Sequence, residues 1–151
     1  MSHFDSLQLG PLTADDIDTV VSLDQLTALM PWPRSIIEQC LRDDYVNHLL
    51  LQNQQAIGFS ICSTGAGEAH LQNIAIHPDF QGRGYGHWLL EQTVNRLREQ
   101  GLHQLFLEVR ASNAAAIKLY QRYGFENIGL RKSYYDAPVG REDAYVYLLP
   151  I

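Results

Sequence analysis

Apolar residues recur along this chain with two different periods, and the switches between them outline a succession of helices and strands. "SLQLG" reads as a short strand, Gly10-Pro11 break it, and a helix follows. Ile17, Val20 and Val21 form that helix's apolar stripe, with Thr13 and Asp16 spaced as a capping box ahead of it. In "PWPRSIIEQCLRDD", Ile36, Ile37, Cys40 and Leu41 fall on one face of a predicted second helix. Three strand-like runs come next: "YVNHLLLQ", "AIGFSICST" and "EAHLQNIAIHP". Turn signals at Asn53–Gln55 and Gly65-Ala66-Gly67 separate them. Ile57, Phe59 and Ile61 alternate with small residues, the period of a pleated strand.

Helical spacing returns with Leu90, Val94 and Leu97 on one face, closed by Gly101. "LHQLFLEVR" is an apolar strand, "NAAAIKLYQRYG" a helix closed by Gly124, and "FENIGLRKSYY" and "EDAYVYLLP" predict two strands around a polar loop. The hairpins imply antiparallel neighbours, whereas the strand-helix-strand passage implies a parallel pair, so the sheet must be mixed. The fold class is therefore α/β. With 151 residues, no repeat and no linker-like tract, one domain spanning 1–151 is expected.

Composition narrows the function more than the fold. The formal net charge of −6 lacks the basic footprint of a nucleic-acid binder, and it suits solubility or a basic substrate. No apolar run approaches the roughly 20 residues of a membrane span, and "MSHFDSLQLG" has neither the basic start nor the apolar stretch of a secretory signal. A cytoplasmic protein with no membrane partner is expected. Cys40 and Cys62 lie far apart without a CxxC pattern and read as small buried hydrophobes. The scattered histidines form no HExxH pair, so no metal site is expected.

Gly82, Gly84 and Gly86 stand at alternate positions where a strand hands over to a helix. Glycine costs about 1 kcal/mol against alanine in a helix interior, so three at a helix start need a reason. A helix amino end offers unpaired N–H groups, and glycine lets an anion approach them closely. "QGRGYG" thus fits a phosphate cradle. It is not a Walker loop, and a GxGxxG fingerprint from Gly82 would need glycine where His87 stands. The spacing present is Gln-x-x-Gly-x-Gly, from Gln81 to Gly86.

Three further residues carry possible chemistry. Glu108 interrupts the apolar "LFLEVR", where a carboxylate needs a purpose or a partner; Arg110, on the same strand face, is one candidate partner. Burial is expected to raise its pKa towards that of a working base. Tyr120 falls on the buried side of its helix with Ile117, as a core tyrosine or a placed acid. Its phenol, pKa about 10, lies only about 2 kcal/mol from protonating a thiolate of pKa near 8.5. Asn113 stands where a helix N-cap is needed, and Tyr123 reads as a packing residue.

The glycine pattern after "NIAIHPDF", together with "LEVRASNAAAIKLYQRYGF", resembles the GNAT superfamily of N-acetyltransferases. From about Gln72 onward the chain is similar to its bacterial ribosomal-protein alanine N-acetyltransferase branch, also through "YY", "GREDA" and "LP"; the amino-terminal half shares "MPWP", Met30 to Pro33. The resemblance implies a mixed, mostly antiparallel sheet of six or seven strands, splayed after the fourth and flanked by about four helices. It implies acetyl-CoA as cosubstrate, with the backbone of Ile74, Ala75 and Ile76 along the pantetheine arm and Asn113 touching its pantetheine or pyrophosphate region. Gln81, Gly82, Arg83, Gly84, Tyr85, Gly86 and His87 would hold the pyrophosphate. Glu108 would be the general base and Tyr120 the general acid, with Trp32, Tyr134 and Tyr135 bordering the acceptor. Pro33 and His87 depart from the usual serine and the usual arginine or lysine.

The acceptor implied is a protein N terminus, the alanine of a small-subunit ribosomal protein. At pH 7 an α-amine is roughly a tenth neutral, while a lysine is under about 0.1%, so a modest base suffices for the former. A small-molecule amine or a lysine is the alternative acceptor, and a non-catalytic acyl-CoA-binding or partner-binding module is the alternative outside enzymes.

Overall fold

The structure, a computed structural model, describes residues 4–151, so the first three residues of the amino-terminal stretch lie outside it. Seven strands and four α-helices follow the expected order. They are β1 (Leu7–Pro11), α1 (Ile17–Thr27), α2 (Arg34–Gln39), β2 (Tyr45–Gln52), β3 (Gln55–Gly65), β4 (Glu68–Ile76), α3 (Tyr85–Glu99), β5 (Gln104–Arg110), α4 (Ala114–Tyr123), β6 (Glu126–Asp136) and β7 (Arg141–Pro150). The Thr13–Asp16 box forms as expected, but it caps a single 3₁₀ turn that leads into α1. Both short hairpins close on two residues at positive φ, Asn53-Gln54 and Ala66-Gly67, the conformation that matches strand twist.

The strands lie side by side in the order β1-β2-β3-β4-β5-β7-β6. All neighbours are antiparallel except β4 and β5, which are parallel only from Glu68–Leu71 against Gln104–Leu107. Beyond that vertex the sheet divides. β4 stays with β3, where Ile74, Ala75 and Ile76 face Ser60, Phe59 and Gly58, while β5 stays with β7, where Glu108 faces Val146. A bulge starts the divergence. Ile61 faces Asn73 but Cys62 faces Leu71, so Gln72 is an extra residue that bends β4 at the point where pairing with β5 ends.

One helix pair covers each face. Val20 and Leu23 of α1 and Ile37 of α2 pack on Leu49, Phe59 and Ile61. Leu90, Val94 and Leu97 of α3 and Tyr120 of α4 pack on Leu105, Leu107 and Val109. Cys40 and Cys62 are buried and unpaired, and burial pushes the Cys62 thiol up to about 12. The predicted face of α2 is only partly correct: the helix is six residues long, Ile37 and Cys40 turn inward, and Ile36 is exposed. Among the described residues no helix is long and apolar enough to cross a membrane, and no group of side chains could hold a metal ion.

These burials give a paired expectation. Leu107→Ala removes a fully buried side chain at the vertex and should cost about 2–5 kcal/mol in urea denaturation. Ile36→Ala should stay within about 0.5 kcal/mol of the parent. Similar losses from both would contradict the packing described.

Candidate active site

The division of the sheet opens a cleft of about 630 Å³ that reaches both faces. One wall is the free edge of β4, Gln72 to Ile76; the other is Glu108, Val109 and Arg110 of β5. The segment between α1 and α2 roofs one side with Leu29, Met30 and Trp32. Gly86 of α3, with Ala116, Leu119 and Tyr120 of α4, closes the other. Backbone N–H and C=O groups of β4 that point away from β3 have no strand beyond Leu71 to meet them. An extended chain carrying amides of its own is the natural partner for such an edge.

The glycine loop lies at one end of this edge. Gly82 and Gly84 have φ of 77° and 83°, left-handed values that a β-carbon would strain. The first helical bond of α3 runs from Trp88 N–H to Gly84 O at 3.1 Å, so the amides of Tyr85, Gly86 and His87 precede the helical ladder. Gln81 braces the loop by donating its Nε2 to Ile76 O at 2.8 Å, and Arg83 donates to Asp79 O at 3.2 Å. The Tyr85 side chain is buried and accepts from Gln52 Nε2 at 3.0 Å, leaving only its backbone for a ligand. His87 lies against the Tyr123 ring, 5.2 Å between centroids, with Glu91 3.9 Å from Nδ1. Asn113 caps α4 through Oδ1 to Ala116 N–H at 3.1 Å while also lining the cleft.

Glu108 alternates with Leu107 and Val109, which pack beneath α3 and α4, so its carboxylate points to the opposite face from Tyr120. The side chain is 8% exposed. Its partner is not Arg110, which instead bonds Glu142 at 2.9 Å and Asp136 O at 2.6 Å. Oε2 meets His70 Nε2, and Oε1 lies 3.4 Å from Arg131 Nε. The expected upward pKa shift is therefore overturned. Burial pushes the carboxyl up, but the hydrogen bond and charge of His70, with the Arg131 guanidinium, outweigh it and hold the group below its usual value.

Tyr120 is 5% exposed, its ring tilted against Phe125 and Tyr147, and burial pushes its phenol upward. It is both a core residue and part of the cleft wall. Tyr135 lines the cleft too: its hydroxyl donates to Glu108 O at 3.0 Å, and burial pushes it up to about 12. Tyr134 does not line the cleft; it is 42% exposed and packs edge-on against Tyr135 beneath Arg131. Tyr123 packs against the core, as its sequence position suggests.

Two contributors escaped the sequence reading. Asp24 is 1% exposed and accepts from Trp32 N–H at 2.7 Å and from Asn73 Nδ2 at 3.0 Å, tying the α1–α2 segment to the free arm of β4. Its signal was an acid beside Leu23 on the buried side of α1. The other is His70, two residues ahead of the bulge. "GREDA" also acquires a reason: Glu142 accepts from Arg110 and Ser112, Asp143 from Ser133 N–H, and Arg141 holds Asp136 at 2.5 Å. These bonds fix the β6–β7 hairpin beside the cleft.

The "Acetyltransferase (GNAT) family" sequence model matches residues 17–125. The ribosomal protein bS18-alanine N-acetyltransferase of Haemophilus influenzae is 40% identical over 139 residues, covering 91% of this chain and 94% of that protein. The Escherichia coli enzyme of the same name is 38% identical over 143 residues, with coverage of 95% and 97%. A crystal structure of the Escherichia coli ribosomal-protein-S18-alanine N-acetyltransferase superposes with a TM-score of 0.91, covering 96% of this chain and 94% of that one at 38% identity. Arabidopsis thaliana NAA60, solved in complex with acetyl-CoA, shares the fold with a TM-score of 0.86 at 16% identity, covering 96% and 98% of the two chains. With the divided sheet, the glycine loop and these likenesses in agreement, the chain belongs to the GNAT family of acetyltransferases.

Proposed function

We propose that this protein is a cytoplasmic N-α-acetyltransferase, one domain over its whole length, that moves acetyl from acetyl-CoA to the N-terminal alanine of a small-subunit ribosomal protein. The observation that carries the chemistry is the meeting of the free β4 edge with Glu108 and Tyr120 in one cleft. The likeness to the bS18-alanine enzymes over more than nine-tenths of the chain supports the acceptor.

The residues present suit the cosubstrate. The backbone of Ile74, Ala75 and Ile76 would pair with the amides of the pantetheine arm, and the amides of Gly82 to His87 would face the pyrophosphate at the amino end of α3. The Asn113 cap leaves its Nδ2 for the arm. Acetyl-CoA supplies an acyl group on a thiol leaving group; everything else falls to the chain. Glu108 takes a proton from the acceptor α-amine, directly or through a water. Its lowered pKa keeps it ionised at neutral pH, and each carboxylate oxygen retains a lone pair beside its His70 or Arg131 contact. Tyr120 holds its proton at the opposite wall for the departing sulfur. Burial makes its phenol a weaker acid than the solution value, but a thiolate formed in the same desolvated cleft is a stronger base by the same physics. Trp32 and Tyr135 flank the acceptor, with Tyr134 supporting Tyr135 from outside.

Three outcomes test this reading. Short peptides beginning with alanine should be acetylated when the amino terminus is free and ignored when it is blocked, whether or not they contain lysine; modification of lysine alone would overturn the acceptor. At pH 7, Glu108→Gln should lower turnover by about 10²–10⁴, and the residual rate should climb as pH rises through the amine pKa of about 8. A normal rate at pH 7 would leave Glu108 as an ion-pair residue. Gly84→Val, at φ 83°, should weaken acetyl-CoA binding in calorimetry, and unchanged binding would contradict the cradle.

A further inference from the structure

Glu108 lies between two openings. Besides the main cleft it lines a second one, of about 450 Å³, on the face of the sheet where His70, Phe106 and Val146 also emerge. His70 stands opposite Phe106 in the parallel pairing, and Glu108 is the next residue of β5 on that face. The charged and titratable groups around this opening are Glu68 on the histidine's own strand, Glu108 on β5 and Arg131 on β6.

If charge pairing were all that Glu108 needed, Arg131 would provide it. The histidine adds something a guanidinium lacks: a ring that accepts a proton at one nitrogen and releases one at the other. His70 Nε2 meets Glu108 Oε2. Among the described residues no hydrogen bond engages Nδ1, and the side chain is 34% exposed, whereas Glu108 is 8% exposed. The buried carboxylate thus has a half-exposed imidazole between itself and water.

We infer that His70 is the proton exit of this enzyme, relaying the proton that Glu108 removes from the acceptor amine into the second cleft. The inference rests on the reading of Glu108 as base. In the step, an amine N–H bond breaks and an O–H bond forms on Glu108. That proton passes to His70 Nε2 while Nδ1 gives its own to water. The carboxylate is restored with the neutral ring donating Nε2–H to it across their contact in the structure. Exchange of the half-exposed ring with water in the second cleft returns the Nδ1–H tautomer before the next turnover. The relay also gives the proton a way out through the second cleft while the acceptor and cosubstrate fill the first. His70 touches neither thioester nor amine and is therefore a positioning and relay residue.

The test compares two replacements in the full chain, with saturating acetyl-CoA and a peptide bearing a free N-terminal alanine. His70→Gln keeps an N–H to hold Glu108 but cannot carry a proton; His70→Ala leaves space for an added ring. Both should lower turnover by about 10-fold or more while leaving the Michaelis constant for acetyl-CoA unchanged. Added imidazole should restore turnover to His70→Ala, and more basic substituted imidazoles should do so better. Thermal unfolding near the parent's temperature establishes that both variants are folded. Parent-like turnover in His70→Gln would overturn the relay, as would a loss in His70→Ala that no imidazole restores. Glu108→Gln, measured beside them, separates the two claims. If it fails while the His70 variants work, the relay falls and the base stands; if it too works normally, the base reading falls first.

Discussion

Strand β4 cannot pair with β3 and β5 along its whole length once Gln72 is inserted opposite the Ile61–Cys62 step. That single bulge leaves a row of peptide groups at the centre of the sheet without a strand partner, a place where unpaired backbone is expensive. The rest of the molecule is arranged around that exposed edge. Asp24 ties the α1–α2 segment to Asn73 just past the bulge, so one roof of the cleft is hung from the free arm itself. The loop with Gly82 and Gly84 starts α3 at the arm's far end, and Gln81 returns a hydrogen bond to Ile76. On the opposite wall, β7 holds β5 straight through Arg110 and keeps Glu108 facing the gap.

Electrostatics in the cleft follow from the same geometry. Glu108 and Tyr120 are both largely buried, yet their pKa values move in opposite directions from ordinary values, down for the carboxyl and up for the phenol. The difference lies in their partners. The carboxyl has an imidazole and a guanidinium against it, whereas the phenol has aromatic rings. One side chain is kept charged and ready to accept a proton, and the other is kept neutral with its proton in place. Under the proposed function, a pair of groups divided in this way suits transfer from a thioester to an amine, and a modest base suffices for an α-amine of pKa near about 8.

Much of this was legible in the sequence because the signals were local. The period-2 run through Ile57, Phe59 and Ile61, the apolar stripe of α3 and the glycine stops at Gly101 and Gly124 each depend on neighbours a few residues away. The insertion of β7 between β5 and β6 was not legible, since it depends on which edge the last strand finds. Nor was the orientation of Ile36, because a helix of six residues has too few turns for its stripe to average out. Arg110 looked like the partner of Glu108 from spacing along one strand. Contacts across strands decided otherwise, giving Arg110 to Glu142 and giving Glu108 to His70, 38 residues earlier in the chain. The missed residues share that character: Asp24 and His70 act on groups far away in sequence, so no local pattern marks them.

The proposed function lays acetyl-CoA along the unpaired arm of β4. Amide hydrogen exchange with and without saturating acetyl-CoA reads that edge directly. New protection is expected over Asn73–Ile76 and at the amino end of α3, Tyr85 to His87, with little change where β5 already pairs with β7. Saturating acetyl-CoA that leaves β4 exchange unaltered, or that protects only residues around the second cleft, would contradict it.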